Sequence, residues 1–434
     1  MKELLPGSDS LSNRISFYHI LLLMISLPFD RFYSHIILVS FCVHTIIQFK
    51  TDAAKPIFTA RILAVQAVFF ISAIATIYTP YQQQAFDEWG RNVVILILPL
   101  LLCLNSVNLK KYRPILLLIF AFTSTVTILY LYANAFITIK HYGLPFRSIF
   151  TYAFTNHNFS EPIDMHATYL SMQLVIALVY LLYLLMTDKI NPAFKIICGL
   201  CGLILLAGIV QLGSKSILAI LFIMINLVLP YYLLTGHKRF RFMLVTISIS
   251  AVLIGFIFNS HTFRERYITE LQTDLSAFHP GQNPDPRLAR WQIAVQLIKA
   301  KPILGHGSGS ELTLLGESYF NHKLYSSYIN KLNAHNQYLS FLLKTGVWGL
   351  AIYLLVLQYG FKIAIRNKDV VFISFMLMVA IVSISENVLD VDKGVFFYGF
   401  FFSFFLFSFS QRKVVNSSEL RDNYLCATGQ PIAG

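Results

Sequence analysis

The sequence predicts an all-α polytopic membrane protein with about twelve transmembrane helices. Hydrophobic residues make up 56% of the 434-residue chain and charged residues only 13%, which is about half the charged share of a soluble domain. The mean hydropathy is +0.63. A single soluble core of this length could not bury that much apolar surface. We therefore exclude a soluble enzyme and look for chemistry at the ends of the spans.

Twelve apolar runs approach the length of about 20 residues that crosses a bilayer. They are residues 16–29, 35–49, 63–79, 93–107, 114–136, 167–186, 194–211, 216–234, 241–258, 338–360, 370–386 and 394–410. The runs divide the chain into four parts. These parts are nine spans in residues 1–258, a large loop at 259–337, three spans in residues 338–410 and a tail at 411–434.

Basic residues are concentrated on one side of these spans. With the N-terminus inside, nineteen of the 34 Lys and Arg and seven of the 21 Asp and Glu lie on the inner side. Such an excess of bases marks the cytoplasmic side, so topology accounts for twelve of the thirteen net positive charges and we expect no nucleic-acid partner. We also expect cytoplasmic termini, a disordered tail and outer loops at 137–166 and 259–337. The inner residues include the bases Lys2, Lys50, Lys55, Lys111, Arg113 and Lys189 and the acids Asp9 and Asp369, and the outward bases include Arg31.

The large outer loop contains a predicted helix at residues 287–301. Its apolar side chains recur every three to four residues, and this stripe predicts packing on the bundle or the membrane surface. They are Leu288, Trp291, Val295 and Ile298. Gly305, Gly307 and Gly309 follow the helix. Backbone N–H groups in such a segment can contact an anion, although a plain flexible connector fits the composition better.

His335 is the candidate general base of this loop. Asn333 precedes the tenth apolar run, and asparagine often caps a helix N-terminus. His335 would then lie in the first helical turn, where the helix dipole disfavours a positive charge. A neutral imidazole is the form that a general base requires. An interfacial histidine without a catalytic role is the alternative.

Charged residues at the outer ends of spans are costly to keep near lipid, so each indicates a partner or a function. Lys215 lies between the seventh and eighth spans, and snorkelling to the interface is its alternative to anion binding. Lys344 lies inside the tenth span, with Glu386 as a candidate partner. Asp390 and Asp392 have the spacing of a metal-binding pair, but a solvated turn is the simpler interpretation. The outward histidines lack zinc-site spacing.

Four motifs occur in a fixed order along the chain. They are His166-Ala167-Thr168-Tyr169-Leu170-Ser171, then Arg287-x-x-x-Trp291-x-x-Ala294 before Pro302-Ile303-Leu304-Gly305-His306-Gly307, then Ala334-His335-Asn336-Gln337-Tyr338-Leu339 before Gly346-Val347-Trp348-Gly349, and Ser385-Glu386-Asn387 with Gly394. Together with one dominant outer loop before the last three spans, they resemble the O-antigen ligase / O-antigen polymerase superfamily of WaaL and Wzy-type proteins. The strong part of the resemblance spans roughly residues 200–400, and the first five spans match only in hydropathy.

The resemblance implies a GT-C-like glycosyltransferase of the bacterial inner membrane. Such enzymes move a glycan from undecaprenyl diphosphate to a sugar hydroxyl of a lipid-anchored acceptor, of lipid A-core type, on the periplasmic face. The ligases use no metal or other cofactor and invert the configuration. The implied site has His335 as the catalytic base. Where the family commonly has an arginine, this chain has Lys215, and lysine keeps the charge but lacks the bidentate fork. Donor-binding residues would be Lys215, Arg287 and Arg290, with Asn336, His166 and Glu386 in support.

Two enzyme alternatives use the same donor. A Wzy-type polymerase differs in needing a second lipid-linked glycan, and a protein O-oligosaccharyltransferase differs in its acceptor. The placement of the Arg287 and His335 motifs in one large loop favours the ligase. The non-enzyme alternative is a transporter of lipid-linked glycans, but the two halves of the chain show no internal repeat.

Overall fold

The protein is a helical bundle. The computed structural model describes residues 9–29, 31–49, 58–187, 190–276, 278 and 285–409. The inner bases Lys2, Lys50, Lys55 and Lys189 and the predicted tail at 411–434 lie outside this part of the chain. The structure is 81% helix without strands in the described ranges, which confirms the all-α prediction.

Each of the twelve predicted apolar runs overlaps one or more helices. In chain order the helices are α1 (Leu11–Ser26), α2 (Arg31–Ile47), α3 (Ala60–Ala75), α4 (Gln82–Leu104), α5 (Leu109–His141), α6 (Asn156–Ser160), α7 (Ala167–Thr187), α8 (Pro192–Leu212), α9 (Lys215–Ile223), α10 (Leu229–Leu233), α11 (Gly236–Asn259), α12 (His261–Arg264), α13 (Glu270–Asp274), α14 (Arg287–Ala300), α15 (Ser310–Asn321), α16 (Tyr325–Ile329), α17 (Gln337–Arg366), α18 (Val370–Val382) and α19 (Asp392–Phe407). A π-helical turn at Met224–Val228 joins α9 to α10.

Membrane-protein character is confirmed by the length and composition of these helices. Five are long and apolar enough to cross a bilayer, namely Leu109–His141, Ala167–Thr187, Pro192–Leu212, Lys215–Leu233 and Gln337–Arg366. Three shorter apolar helices are α2, α3 and α18. Apolar side chains such as Val252 and Leu203 are exposed on the outside of the bundle, as expected for a surface that faces lipid. The full count of twelve spans stays a prediction.

The centre of the bundle consists of helices that are apolar on all sides. Most residues of α7, α18 and α19 are buried, and a helix that is hydrophobic all round belongs in a core. Helix α7 packs on α5, α8 and α18, while α19 packs on α4. These central helices carry the ends from which the site is built.

The region between α11 and α17 has a small core of its own. Side chains of α14 and α15 pack with the start of α17, including Ile293, Ala294, Leu315 and Leu343. The predicted helix at 287–301 is therefore present as α14, but its buried face differs from the predicted stripe. Val295 is 38% exposed, because α14 packs on α15 and α17. The buried residues of α14 are Ala289, Arg290, Ile293, Ala294 and Ile298.

Candidate active site

His335 lies in the turn immediately before α17. Its φ of +47° is in the left-handed region that few non-glycine residues adopt. Asn336, and not the predicted Asn333, caps the helix, since its side-chain oxygen accepts from the N–H groups of Tyr338 and Leu339 at 3.0 and 3.1 Å. Asn333 instead accepts from the N–H of His335 at 2.9 Å. The imidazole thus extends from a fixed turn, not from the first helical turn.

The His335 imidazole pairs with Glu386. The Nδ1 and Oε2 atoms are 3.2 Å apart, and the side chains are 26% and 15% exposed. Burial raises the pKa of Glu386, but the hydrogen bond with His335 and its charge outweigh burial and lower that pKa to about 2. An ionised carboxylate that accepts from Nδ1–H leaves the Nε2 lone pair to accept a proton. The predicted pairing of Glu386 with Lys344 was wrong.

Helix α14 holds both halves of this pair. Arg287 Nη1 donates to the carbonyl of Ser385 at 2.8 Å, one residue before the glutamate. Trp291 Nε1 donates to the carbonyl of Ala334 at 2.9 Å, one residue before the histidine. Residues four apart lie on the same face of a helix. The Arg-x-x-x-Trp motif therefore sets the distance between the two segments that carry the histidine and its carboxylate.

Further hydrogen bonds attach the start of α17 to the segment after α18. The N–H of Asn336 donates to Asn387 Oδ1 at 2.7 Å. The N–H of Gln337 donates to the carbonyl of Ser383 at 2.8 Å, and Gln337 Oε1 accepts from the N–H of Leu389 at 2.7 Å. These bonds join the motifs at 334–339 and 385–387 into one hydrogen-bonded unit.

A buried charged cluster lies next to this unit. Lys344 Nζ is 2.6 Å from Asp390, 3.6 Å from Glu88 and 3.9 Å from Glu311. Asn387 donates to both Glu311 and Asp390 at 3.0 and 2.8 Å. Burial raises the pKa of Glu311, since isolated carboxylate charge is costly in a low-dielectric interior. The predicted need of Lys344 for a partner is met by these three acids.

The two acids with metal-site spacing contact different bases. Asp390 pairs with Lys344, and Asp392 Oδ2 is 2.8 Å from Arg31. Asp390 is thus part of a buried cluster and not of a solvated turn. In the part of the chain that the structure describes, no group of three or more His, Cys, Asp or Glu is arranged to hold a metal ion.

The glycine segment after α14 is a closely packed connector. The N–H of His306 donates to the carbonyl of Leu343, and that of Gly307 to the carbonyl of Lys344, both at 2.8 Å. A Cβ on Gly307 would lie 2.4 Å from Thr79, closer than any side chain tolerates. Because these N–H groups bind backbone carbonyls of α17, the connector interpretation fits and the anion-binding hypothesis gains no support.

Three bases converge near the pair of His335 and Glu386, which we call the dyad. Lys215 Nζ lies 3.3 Å from Glu270 and 3.4 Å from Asp274. Asp274 also pairs with Arg287 Nε at 3.3 Å, and Arg266 Nη1 pairs with Glu270 at 2.6 Å. Three bases with two acids leave one positive charge. Sequence reasoning missed Arg266, although its spacing of four residues from Glu270 is a recognisable helical pair.

Arg290 is placed differently from the other predicted donor-binding residues. Its side chain is buried, with 5% of the residue exposed. Burial lowers its pKa, and Tyr319, Arg287 and Asp274 lie near its charge. In the described chain its Nε and Nη1 atoms have no hydrogen-bond partner. The structure therefore brings Lys215 and Arg287 together but keeps Arg290 inside the small core.

His166 lies on another side of the dyad. Its ring contacts those of His157 and Tyr169, with centroids 4.1 and 5.2 Å apart. Burial lowers the pKa of His166 to about 4, while the charges of Glu386 and His335 also act on it. His166 is therefore neutral near pH 7 and within reach of the charges of the candidate base and its carboxylate.

Comparison with known proteins finds a family whose sequence pattern is similar to this part of the chain. A family sequence model described as O-antigen ligase matches residues 166–354, a segment that contains His166, Lys215, Arg287 and His335. The match confirms the resemblance to the O-antigen ligase / O-antigen polymerase superfamily. No curated protein matches the chain.

Proposed function

Because residues 166–354 carry the sequence pattern of the O-antigen ligase family, we propose that the chain is a ligase-type membrane glycosyltransferase. It moves a glycan from undecaprenyl diphosphate to a sugar hydroxyl of a lipid-anchored acceptor of lipid A-core type. The reaction takes place at the periplasmic face of the inner membrane. The His335–Glu386 pair beside the basic cluster of Lys215, Arg266 and Arg287 is the observation that carries this proposal.

His335 acts as the general base. The acceptor hydroxyl oxygen attacks the anomeric carbon, and its proton passes to Nε2 of the imidazole. As this carbon–oxygen bond forms, the bond from the anomeric carbon to the diphosphate oxygen breaks, so a single displacement inverts the configuration. Glu386, 3.2 Å from Nδ1, stabilises the imidazolium that forms, as the carboxylate of a catalytic triad does.

The basic cluster stabilises the leaving group. The diphosphate oxygen keeps the electron pair of the broken bond, so one more negative charge develops there. Lys215 and Arg287, which share Asp274, exchange that carboxylate for phosphate oxygens, and such charge-assisted contacts are strong. Lys215 also begins α9, and a helix N-terminus favours an anion.

A purified-component assay tests this function. The protein is mixed with lipid-linked donor and lipid A-core acceptor in excess chelator, and glycan transfer is measured. We expect acceptor-dependent transfer without added metal. If chelation stops transfer and magnesium or manganese restores it, the reaction is metal-dependent. Movement of the donor across vesicles without any transfer would favour the transporter.

Deletion in the native host separates the ligase from its two enzyme alternatives. A ligase mutant accumulates long polymer on undecaprenyl diphosphate and has none on the lipid A-core. Transfer of single repeat units to that acceptor in the mutant would instead identify a polymerase. Loss of glycan from proteins, with normal lipopolysaccharide, would identify a protein O-oligosaccharyltransferase. Convergence of Lys215, Arg266 and Arg287 into one cluster fits a single lipid diphosphate and supports the ligase.

A further inference from the structure

A cavity of about 570 Å³ opens between the start of α19 and the segment that precedes α7. This volume lies within the range of ~300–1,000 Å³ that is typical of small-molecule sites. Three polypeptide segments line it. Its lining includes Arg31, Glu161, Asp164, His166, Asp392 and Lys393.

Hydrogen bonds connect the segment of the candidate base to the cavity wall. The N–H of Asn336, next to His335, donates to Asn387. The carbonyl of Asn387 accepts from the N–H of Asp390 at 3.1 Å, and the cavity wall starts at the next residue, Val391. The cavity lining also contains His166, on which the charges of Glu386 and His335 act.

The basic cluster contacts the residue before Glu386 in sequence, and the cavity is lined by residues after it. Arg287 contacts Ser385, immediately before the glutamate, whereas the cavity wall starts five residues after it. In an inverting displacement the attacking oxygen approaches the anomeric carbon from the face opposite to that from which the leaving oxygen departs. The acceptor therefore needs a site apart from the one that receives the diphosphate, and none of the three bases of the basic cluster lines this cavity.

The charges of the lining indicate the chemistry of that acceptor. Arg31 pairs with Asp392 at 2.8 Å, and Lys393 pairs with Asp164 at 3.8 Å. Glu161 adds a third carboxylate, so the two bases are outnumbered and the lining carries one net negative charge. Carboxylates accept hydrogen bonds from sugar hydroxyls but repel phosphate.

We propose that this cavity binds the terminal sugar of the acceptor and that this sugar carries no phosphate. The proposal rests on the glycosyl transfer proposed above and adds to it the location and chemistry of the acceptor site. Glu161 and Asp164 set the preference for an uncharged sugar, His335 takes the proton of its attacking hydroxyl, and the basic cluster binds the donor diphosphate.

The test is a double variant, Glu161→Gln with Asp164→Asn, in the purified full chain. Both side chains are exposed, and asparagine tolerates the left-handed φ of +47° at position 164. Acceptor KM, donor KM and kcat are measured with matched core oligosaccharides that do or do not carry phosphate on the terminal sugar. The control is Glu317→Gln, an exposed acid outside the cavity lining.

Wild-type protein should prefer the phosphate-free acceptor by about tenfold or more in kcat/KM. The double variant should raise the KM for that acceptor about tenfold and reduce the discrimination against phosphate, with donor KM and the control unchanged. Unchanged acceptor KM and preference in a variant that still transfers glycan would overturn the site. A wild-type preference for the phosphorylated sugar would overturn its chemistry.

Binding of the two oligosaccharides without donor separates this inference from the proposed function. Weaker binding of the phosphate-free oligosaccharide by the double variant, in a chain that transfers no glycan, would refute the glycosyltransferase but retain the sugar site. Equal binding by wild type and variant would refute the sugar site, whatever the assay of transfer shows.

Discussion

His335 is restrained at its backbone by Asn333 and at Nδ1 by Glu386. A base of this kind acts on a proton that moves only during the reaction, so it contributes to the transition state and not to donor binding. His335→Ala should lower kcat by ~10²–10⁴ with little change in donor KM. Arg287→Ala should raise donor KM as well, since its contact with diphosphate precedes the reaction. Equal loss of folded protein in both variants would contradict these roles.

His166 predicts a pH dependence of stability. Its pKa in the folded chain is lowered to about 4 by burial, whereas an unfolded histidine titrates near ~6.5. Between these values the unfolded chain binds more protons, so stability falls as the pH drops through this window and levels off below it. The unfolding temperature in detergent should therefore decline more steeply in wild type than in His166→Gln. The exposed His322→Gln is the control, and it should retain the wild-type slope.

The candidate residues could be predicted from sequence better than their partners could. His335, Arg287 and Lys215 lie in short motifs or at the ends of apolar runs, which local sequence reveals. Asp274 was missed because its contact with Lys215 spans 59 residues of chain. Glu386 was assigned to the wrong partner, since only the direction of side chains in the folded turn decides which base it meets.

Trp291 of α14 should affect catalysis by positioning the segment of the candidate base and not by contact with substrate. Trp291→Phe keeps the ring but removes the hydrogen bond to the carbonyl of Ala334. A bond of this kind contributes about 1 kcal/mol, so we expect kcat to fall roughly five- to tenfold with donor KM unchanged. Val295→Ala, on the exposed face of the same helix, should keep wild-type kcat. A change in donor KM alone for Trp291→Phe would contradict this role of Trp291.

The charged cluster ties α4, α15 and α17 together through Lys344. Removal of this base leaves buried carboxylates without their counter-charge, which costs about 3–5 kcal/mol. Lys344→Met should therefore sharply lower the yield of folded protein and its unfolding temperature. The double variant with Asp390→Asn should recover part of both, because the closest carboxylate, 2.6 Å away, is then neutral. If the double variant is less stable than Lys344→Met, the pairing has been assigned wrongly.

The hydrophobic runs of the sequence located most of the long helices but not their irregularities. All twelve apolar runs overlap helices because hydrophobic length is a local property of the chain. The kink of α17 at Gly346, with φ of +64°, depends on the carbonyl of Ile303, which leaves no room for a Cβ. The helix also starts at Gln337, since Asn336 caps it. Such details arise from tertiary contacts that no window of sequence contains.

Ion pairs across the bundle join residues that are predicted from sequence to lie on the same side of the membrane. Arg113 pairs with Asp369, and Lys111 with Asp9, all of them predicted to be inside. Arg31 pairs with Asp392 among the residues predicted to be outside. These pairs agree with the sides that the charge asymmetry predicts, whereas the number of spans depends on lipid contacts that composition alone does not determine.

The same asymmetry predicts the orientation of the chain. Lys238, Arg239 and Arg241 follow His237, and a short loop with three bases is retained in the cytoplasm. A reporter fused at His237 should therefore read as inside and one at Gln282 as outside, with a fusion at Asn330 matching Gln282. Reversed readings would overturn the topology. Since His335 lies five residues after Asn330, the same fusions decide from which face of the membrane the lipid-linked donor must reach the base.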